Sequence, residues 1–279
     1  MHFVDVAGAR VAYRIDGPDP CRGTGVVLVH GTGGNGDSHL GALAARLAGR
    51  RTVVRPDYAG SGMTEDDGGP LTVEGLAGQV LAAADAAGLD RFHLLGYSLG
   101  AAVAVQIAAD QPERVSSLVP LGGFVSGTDS RLQLMLSFWR DMIDRDRGSL
   151  VRHWILSGFS PAFLSSQTPQ TLEDFVALSL ATQNWEGTRR QIDLDLAVDI
   201  CDAATRVSAP TLVVGCRQDQ MVPPAHAREL AGLIPGAAYA ELDSGHAAPL
   251  EATDALADLI EPFFIDTDRN PVAAVAAAR

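Results

Sequence analysis

Ser98 stands between two glycines in Gly96-Tyr97-Ser98-Leu99-Gly100, after the apolar run Phe92–Leu95 and before the helical stretch Leu99–Asp110. A G-x-S-x-G motif in a strand–turn–helix setting marks a nucleophile elbow. Side chains in place of the glycines would clash in so tight a turn. Its strain lifts the serine hydroxyl clear of the sheet, at a helix N-terminus whose dipole favours developing negative charge. The plainer reading, a glycine-rich turn with a capping serine, leaves that context unexplained.

A serine hydroxyl is a weak nucleophile without a positioned base. Among seven histidines, His246 in Asp243-Ser244-Gly245-His246 lies in the loop after the apolar run Ala238–Leu242. That is the carboxyl edge, where α/β sheets build their sites. His2, His39, His153 and His226 read as surface or capping residues, and His30 as structural. The base needs a carboxylate to hold its tautomer. Asp219, just past the run Thr211–Gly215 on the same edge, is expected there. Its rival Asp243 is too close along the loop to approach the imidazole from behind.

A second glycine motif competes. Gly31-Thr32-Gly33-Gly34-Asn35-Gly36 fits G-x-G-x-x-G, and Asp57 follows Gly36 by 21 residues, near where a ribose-binding acid would sit. A preceding hairpin and the lack of a second mononucleotide-binding half weigh against a dinucleotide site, which would also leave Ser98, Asp219 and His246 idle. Cys201 and Cys216 read as small core residues with no histidine placed to activate them. With Cys21 they make an odd count without C-x-x-C spacing, against a disulfide framework or a zinc site.

The elements that must hold these residues alternate in type. His2–Val6 and Arg10–Ile15, around Ala7-Gly8-Ala9, read as a β-hairpin. Gly25–Val29, Thr52–Arg55, Phe92–Leu95, Val115–Leu121, Thr211–Gly215 and Ala238–Leu242 are nearly continuous apolar runs, as strands buried on both faces are. Val73, Leu76, Ala77, Val80, Leu81 and Ala84 keep helical spacing, with Thr72 as N-cap and Gly88 as the stop; Leu256, Leu259, Ile260 and Phe263 mark a last helix. An α/β fold with right-handed crossovers follows. From Leu121 to Thr211 no strand is evident. Helical stretches around Arg131–Ile143, Leu150–Leu156, Leu172–Leu180 and Trp185–Leu196 carry all three tryptophans. Met135, Phe138, Trp139, Trp154, Phe159 and Phe163 could line an acyl or aromatic pocket there, with no more than a third expected to reach a substrate. The chain after Ile265 reads as a frayed tail.

Composition narrows the function. The chain has 279 residues and a formal charge of −13, and each of its 21 basic residues is arginine. Acidity argues against nucleic acid, and the lack of lysine against Schiff-base or P-loop chemistry. The N-terminus shows no secretory pattern and no apolar run reaches 18 residues, so a cytoplasmic protein free of membrane contact is expected.

The chain order Ser98, Asp219, His246 resembles that of the α/β-hydrolase family. His30-Gly31, Asp57-Tyr58-Ala59-Gly60-Ser61-Gly62, Ala209-Pro210-Thr211-Leu212-Val213-Val214 and Gly245-His246 extend the resemblance over nearly the whole chain to about Ile265. Ala101 departs from a second glycine common after the elbow, with little consequence expected. The resemblance implies a mostly parallel eight-stranded sheet flanked by helices, with a helical lid. The expected domains are a core of residues 1–123 and 205–266, a lid of 124–204 and a flexible tail of 267–279. It also implies catalytic Ser98, His246 and Asp219, an oxyanion hole of the Thr32 and Leu99 amides, and no cofactor or metal. Cleavage of an ester, thioester or lactone of an apolar small molecule, by a monomer or homodimer, is the expected function. Acyl transfer, carbon–carbon hydrolysis and perhydrolysis would use the same residues; a ligand-binding receptor on this fold is the alternative of another class.

Overall fold

The computed structural model describes residues 1–18 and 24–269; Cys21 and residues 270–279 lie outside the described residues. Strands β1 (His2–Val6) and β2 (Ala9–Asp16) form the expected antiparallel hairpin, joined through Ala7 and Gly8. Gly8 takes φ +77°, the region such short connections require and glycine enters freely.

After β3 (Gly25–Val29) come helix α1 (Gly36–Leu47), β4 (Val53–Asp57), β5 (Glu65–Asp66), α2 (Val73–Ala86), β6 (Phe92–Tyr97), α3 (Leu99–Asp110) and β7 (Val115–Leu121). The sheet order is β1-β2-β4-β3-β6-β7-β8-β9, where β8 is Leu212–Cys216 and β9 is Ala238–Leu242. It is antiparallel through β1, β2 and β4 and parallel beyond. The eight-stranded expectation holds along this path. A ninth strand, the two-residue β5, pairs with β2 and is too short to leave a pattern.

The unbroken apolar runs have a simple cause. Val27 and Val29 of β3 pack into one core cluster with α2 and α3; Val26 and Leu28 pack into a second with α1 and the last helix. Each residue of α3 except Asp110 is buried, so this helix shows no polar stripe. Thr72 caps α2 through the Gly75 amide at 3.0 Å, and Gly88 at φ +74° follows its end.

Between β7 and β8 run six helices: α4 (Ser130–Arg145), α5 (Arg147–Gly158), α6 (Pro161–Ser166), α7 (Pro169–Thr182), α8 (Trp185–Ala197) and α9 (Cys201–Arg206). Four match the expected stretches; α6 and α9, six residues each, are too short to show a period. Trp139, Trp154 and Trp185 pack in series, with ring centroids 5.9 and 6.0 Å apart. Helix α10 (Pro224–Leu233) links β8 to β9, and α11 (Ala248–Glu251) precedes α12 (Thr253–Arg269).

Order was expected to fade after Ile265; instead α12 continues to Arg269. Thr267 is buried, and the Asp268 carboxylate accepts from His93 Nε2 at 3.1 Å and Arg51 at 2.8 Å. Among the described residues no helix is long and apolar enough to cross a membrane.

Candidate active site

Ser98 adopts φ +57° and ψ −122° and is the one non-glycine residue with positive φ among those described. Such a backbone costs about 1–3 kcal/mol and persists only where its surroundings hold it. Here the Ser98 amide donates to Leu121 O at 2.9 Å, tying β6 to β7. A Cβ on Gly96 would lie 2.1 Å from Gly100 O, and one on Gly100 would lie 2.4 Å from both Val29 O and His30 O. Neither position admits a side chain. On Gly31 a Cβ would come 2.8 Å from Ser98 Cβ, so the loop after β3 rests directly on the elbow.

His246 Nε2 lies 3.0 Å from Ser98 Oγ, and its Nδ1–H donates to Asp219 Oδ2 at 2.6 Å. A carboxylate only accepts, which places the proton on Nδ1 and leaves Nε2 free to take one from the serine. The other oxygen, Asp219 Oδ1, accepts from the Met221 and Val222 amides at 2.8 and 2.7 Å. Strand ends carry this alignment: Arg217 N donates to Leu242 O and Gln218 N to Ser244 O, stitching the Asp219 loop to the His246 loop. Glu251, which the sequence does not single out, accepts from the Gly245 amide at 3.0 Å and the Ser160 amide at 2.7 Å, bracing the histidine loop against the start of α6. Asp243 is exposed and accepts from Gln218 Nε2 at 2.9 Å, away from the imidazole.

Thr32 follows Gly31, whose Cβ position lies against Ser98, and Leu99 follows Ser98 in the chain. The Leu99 amide is the first of α3 and has no acceptor in its own helix. Neither it nor the Thr32 amide finds a protein acceptor among the described residues. The Thr32 loop is fixed from the helical insertion. Gln191 Oε1 accepts from Gly33 N at 2.8 Å, Gln183 Nε2 donates to Gly33 O at 2.8 Å, and Thr32 Oγ1 donates to Asp195 Oδ2 at 2.6 Å. Burial pushes the Asp195 carboxyl up to about 7, against the opposing pull of the Thr32 hydroxyl and His246. On α8 the buried Gly187, Thr188, Gln191 and Asp195 recur at helical spacing and face the core.

The elbow opens into a cavity of about 540 Å³ bounded by Ser98, His246, Thr32 and Asp195 and by apolar side chains of the insertion. Met135, Trp139, Trp154, Phe159 and Phe163 line it and Phe138 does not. His39 is no surface residue: it lines this cavity, accepts from Gly31 N at 3.3 Å and is held down to about 3 by burial. His30 is structural, buried and stacked on Tyr58 at 3.9 Å. Cys201, read as core, is exposed at the start of α9, whereas Cys216 is buried and its thiol pushed up to about 12. Asp57, the would-be ribose ligand, is buried and accepts from Gly36 N at 2.8 Å; Arg14 lies 3.4 Å from its other oxygen. Its carboxylate joins two loops of the protein.

The family profile of the α/β hydrolase fold matches residues 25–253. The chain belongs to that family, and it is a hydrolase acting on acyl-type bonds. It is 44% identical over 268 residues to pyrrolizixenacetamide deacetylase of Xenorhabdus hominickii, covering 96% of this chain and 99% of that protein. The enol-lactonase of Burkholderia xenovorans superposes with a TM-score of 0.83 at 26% identity, over 95% of this chain and 100% of the other. MGS-M2, an α/β hydrolase from a deep-sea metagenome library, reaches a TM-score of 0.86 at 18% identity, over 94% and 97%, a likeness of fold alone.

Proposed function

We propose that the protein is a serine hydrolase that removes a small acyl group from an amide, through an acyl-enzyme on Ser98. The hydrogen-bonded run Ser98–His246–Asp219 carries this reading. The 44% identical deacetylase supports the amide as the bond cleaved. Ser98 Oγ attacks the acyl carbon while His246 Nε2 takes its proton, and Asp219 holds the imidazolium that results. The Thr32 and Leu99 amides receive the oxyanion, a contribution of roughly 3–4 kcal/mol per donor. Collapse breaks the carbon–nitrogen bond, with His246 returning the proton to the leaving amine. Water then attacks the acyl-Ser98, gives its proton to His246 and releases the acid as Ser98 regains its hydrogen.

The aromatic lining of the cavity suits an apolar substrate body. Ester or lactone cleavage is the second reading, favoured by the likeness to the enol-lactonase, and would run through the same steps. A fluorophosphonate should label Ser98, and the protein should turn over p-nitrophenyl acetate and p-nitroacetanilide; Ser98→Ala should lose labelling and both activities. A wild-type protein that takes the label but turns over neither compound would speak for a receptor, and one that turns over the ester alone for the second reading. Unchanged turnover in Ser98→Ala would remove the nucleophile.

A further inference from the structure

We infer that Asp195 is a substrate-binding, specificity-determining residue, whose Oδ1 accepts a hydrogen bond from the N–H of the substrate amide. The inference rests on the amide reading above and adds a residue to it.

Asp195 projects from α8 into the cavity wall and is only 3% exposed. Its two oxygens differ in circumstance. Oδ2 accepts from the Thr32 hydroxyl at 2.6 Å; Oδ1 is buried and has no partner among the described residues. A buried carboxyl oxygen without a donor is costly, by about 1–3 kcal/mol or more, so its retention calls for an explanation. Fastening α8 to the Thr32 loop is not enough. One turn earlier Gln191 does that work with a neutral amide, and it spends both its polar atoms on protein partners. Among the described residues no arginine lines the cavity and the chain has no lysine, which leaves His246 as the group whose charge pulls on Asp195 from within it. In the carboxylate form this oxygen lacks a donor, and the cavity it lines is where one can be supplied, by what enters. Through Thr32, Asp195 is one residue's breadth from the amide that would hold the substrate oxygen. An amide carries its N–H on the same carbon as that oxygen, whereas an ester has no donor at this place. A site that spends a buried acceptor on one N–H rejects an analogue lacking it.

Two measurements test this. The first is the ratio of kcat/KM for p-nitroacetanilide over p-nitrophenyl acetate, which share acyl group and ring and differ in N–H against O. In Asp195→Asn that ratio should fall at least tenfold from wild type, whatever ester rate remains; a fall of both substrates in proportion would make Asp195 a strut only and overturn the inference. The second needs the wild-type protein alone: acetanilide should inhibit ester hydrolysis with a Ki at least fivefold below that of N-methylacetanilide, and equal constants, or no inhibition by either, would overturn it as well. Because both are read against ester turnover and Ser98 labelling, a failure here leaves the nucleophile standing, and loss of labelling would strike the earlier reading instead.

Discussion

At the scale of single residues, the two aspartates near His246 make the sharpest contrast. Asp219 meets Nδ1 at 2.6 Å and is itself held by two amides, while Asp243 takes a hydrogen bond from Gln218 and lies 3.7 Å from Arg217 at the surface. Asp219→Asn should lower kcat on p-nitrophenyl acetate by roughly 10⁴, the loss known where a triad aspartate becomes an amide. Asp243→Asn should cost less than about tenfold, the scale of one exposed hydrogen bond near 1 kcal/mol. The larger loss in Asp243→Asn would reverse the assignment. Asp195 makes a prediction about stability. Its carboxyl is raised to about 7 in the fold, so between about pH 4, where the unfolded chain titrates, and about pH 7 the folded state binds the extra proton. Stability from this group is present in acid and lost as pH rises through that window, by up to about 1.4 kcal/mol per unit. Urea unfolding should therefore show Asp195→Asn gaining on wild type from pH 5 to pH 8. A difference that stays constant over that range would mean the carboxyl titrates as an ordinary one.

At the scale of elements, α8 touches the core backbone to backbone. A Cβ on Gly187 would lie 2.0 Å from Gly60 O, and Gly60 itself needs φ +82° in the loop after β4. Arg190 adds a two-pronged pair to Asp66 of β5, at 2.8 and 3.0 Å. Gly187→Ala should push α8 off this loop, costing about 1–3 kcal/mol as overpacking does. It should also lower ester kcat/KM, because Gln191 and Asp195 would leave the Thr32 loop. Gly78→Ala on α2, where a Cβ meets nothing within 4 Å, should instead gain up to about 1 kcal/mol from helix propensity. Thermal melts and ester assays of the two variants side by side check this; equal behaviour would show that the Gly60–Gly187 approach is soft.

Across the whole molecule, α12 closes the sheet by returning to β6 and α1. Burial alone would raise the Asp268 carboxyl; hydrogen bonds from His93 and then Arg51 more than reverse this and hold it well below the usual range. The charged form is thus favoured by folding, so its stabilisation is present above the ordinary carboxylate pKa and lost as pH falls below it. Asp268→Asn should unfold earlier in urea than wild type at pH 7, and the gap should narrow towards pH 3; a gap that widens in acid would contradict the pairing. This last turn was illegible in the sequence, since Asp266-Thr267-Asp268-Arg269 has the polarity of a tail and only the distant His93 and Arg51 make it a helix end. Ser98, Asp219 and His246 were legible for the opposite reason: each sits next to a strand whose apolar run fixes its place at one sheet edge. Gln183, Gln191 and Asp195 have no such neighbour, and their partners lie about 130 residues or more away. The insertion that carries them is anchored unevenly. Helix α8 is locked by Gly187, Gln191 and Arg190, while α6 buries no residue and α7 only Val176. The cavity thus has a stiff side along α8, bearing Asp195, and a yielding side on α6 and α7, bearing Phe163, Phe175 and Leu178. Bulk can be accommodated by the yielding side without disturbing the stiff one, so if Asp195 selects the bond as inferred, tolerance for substrate size and choice of bond reside on different helices and can drift apart by mutation.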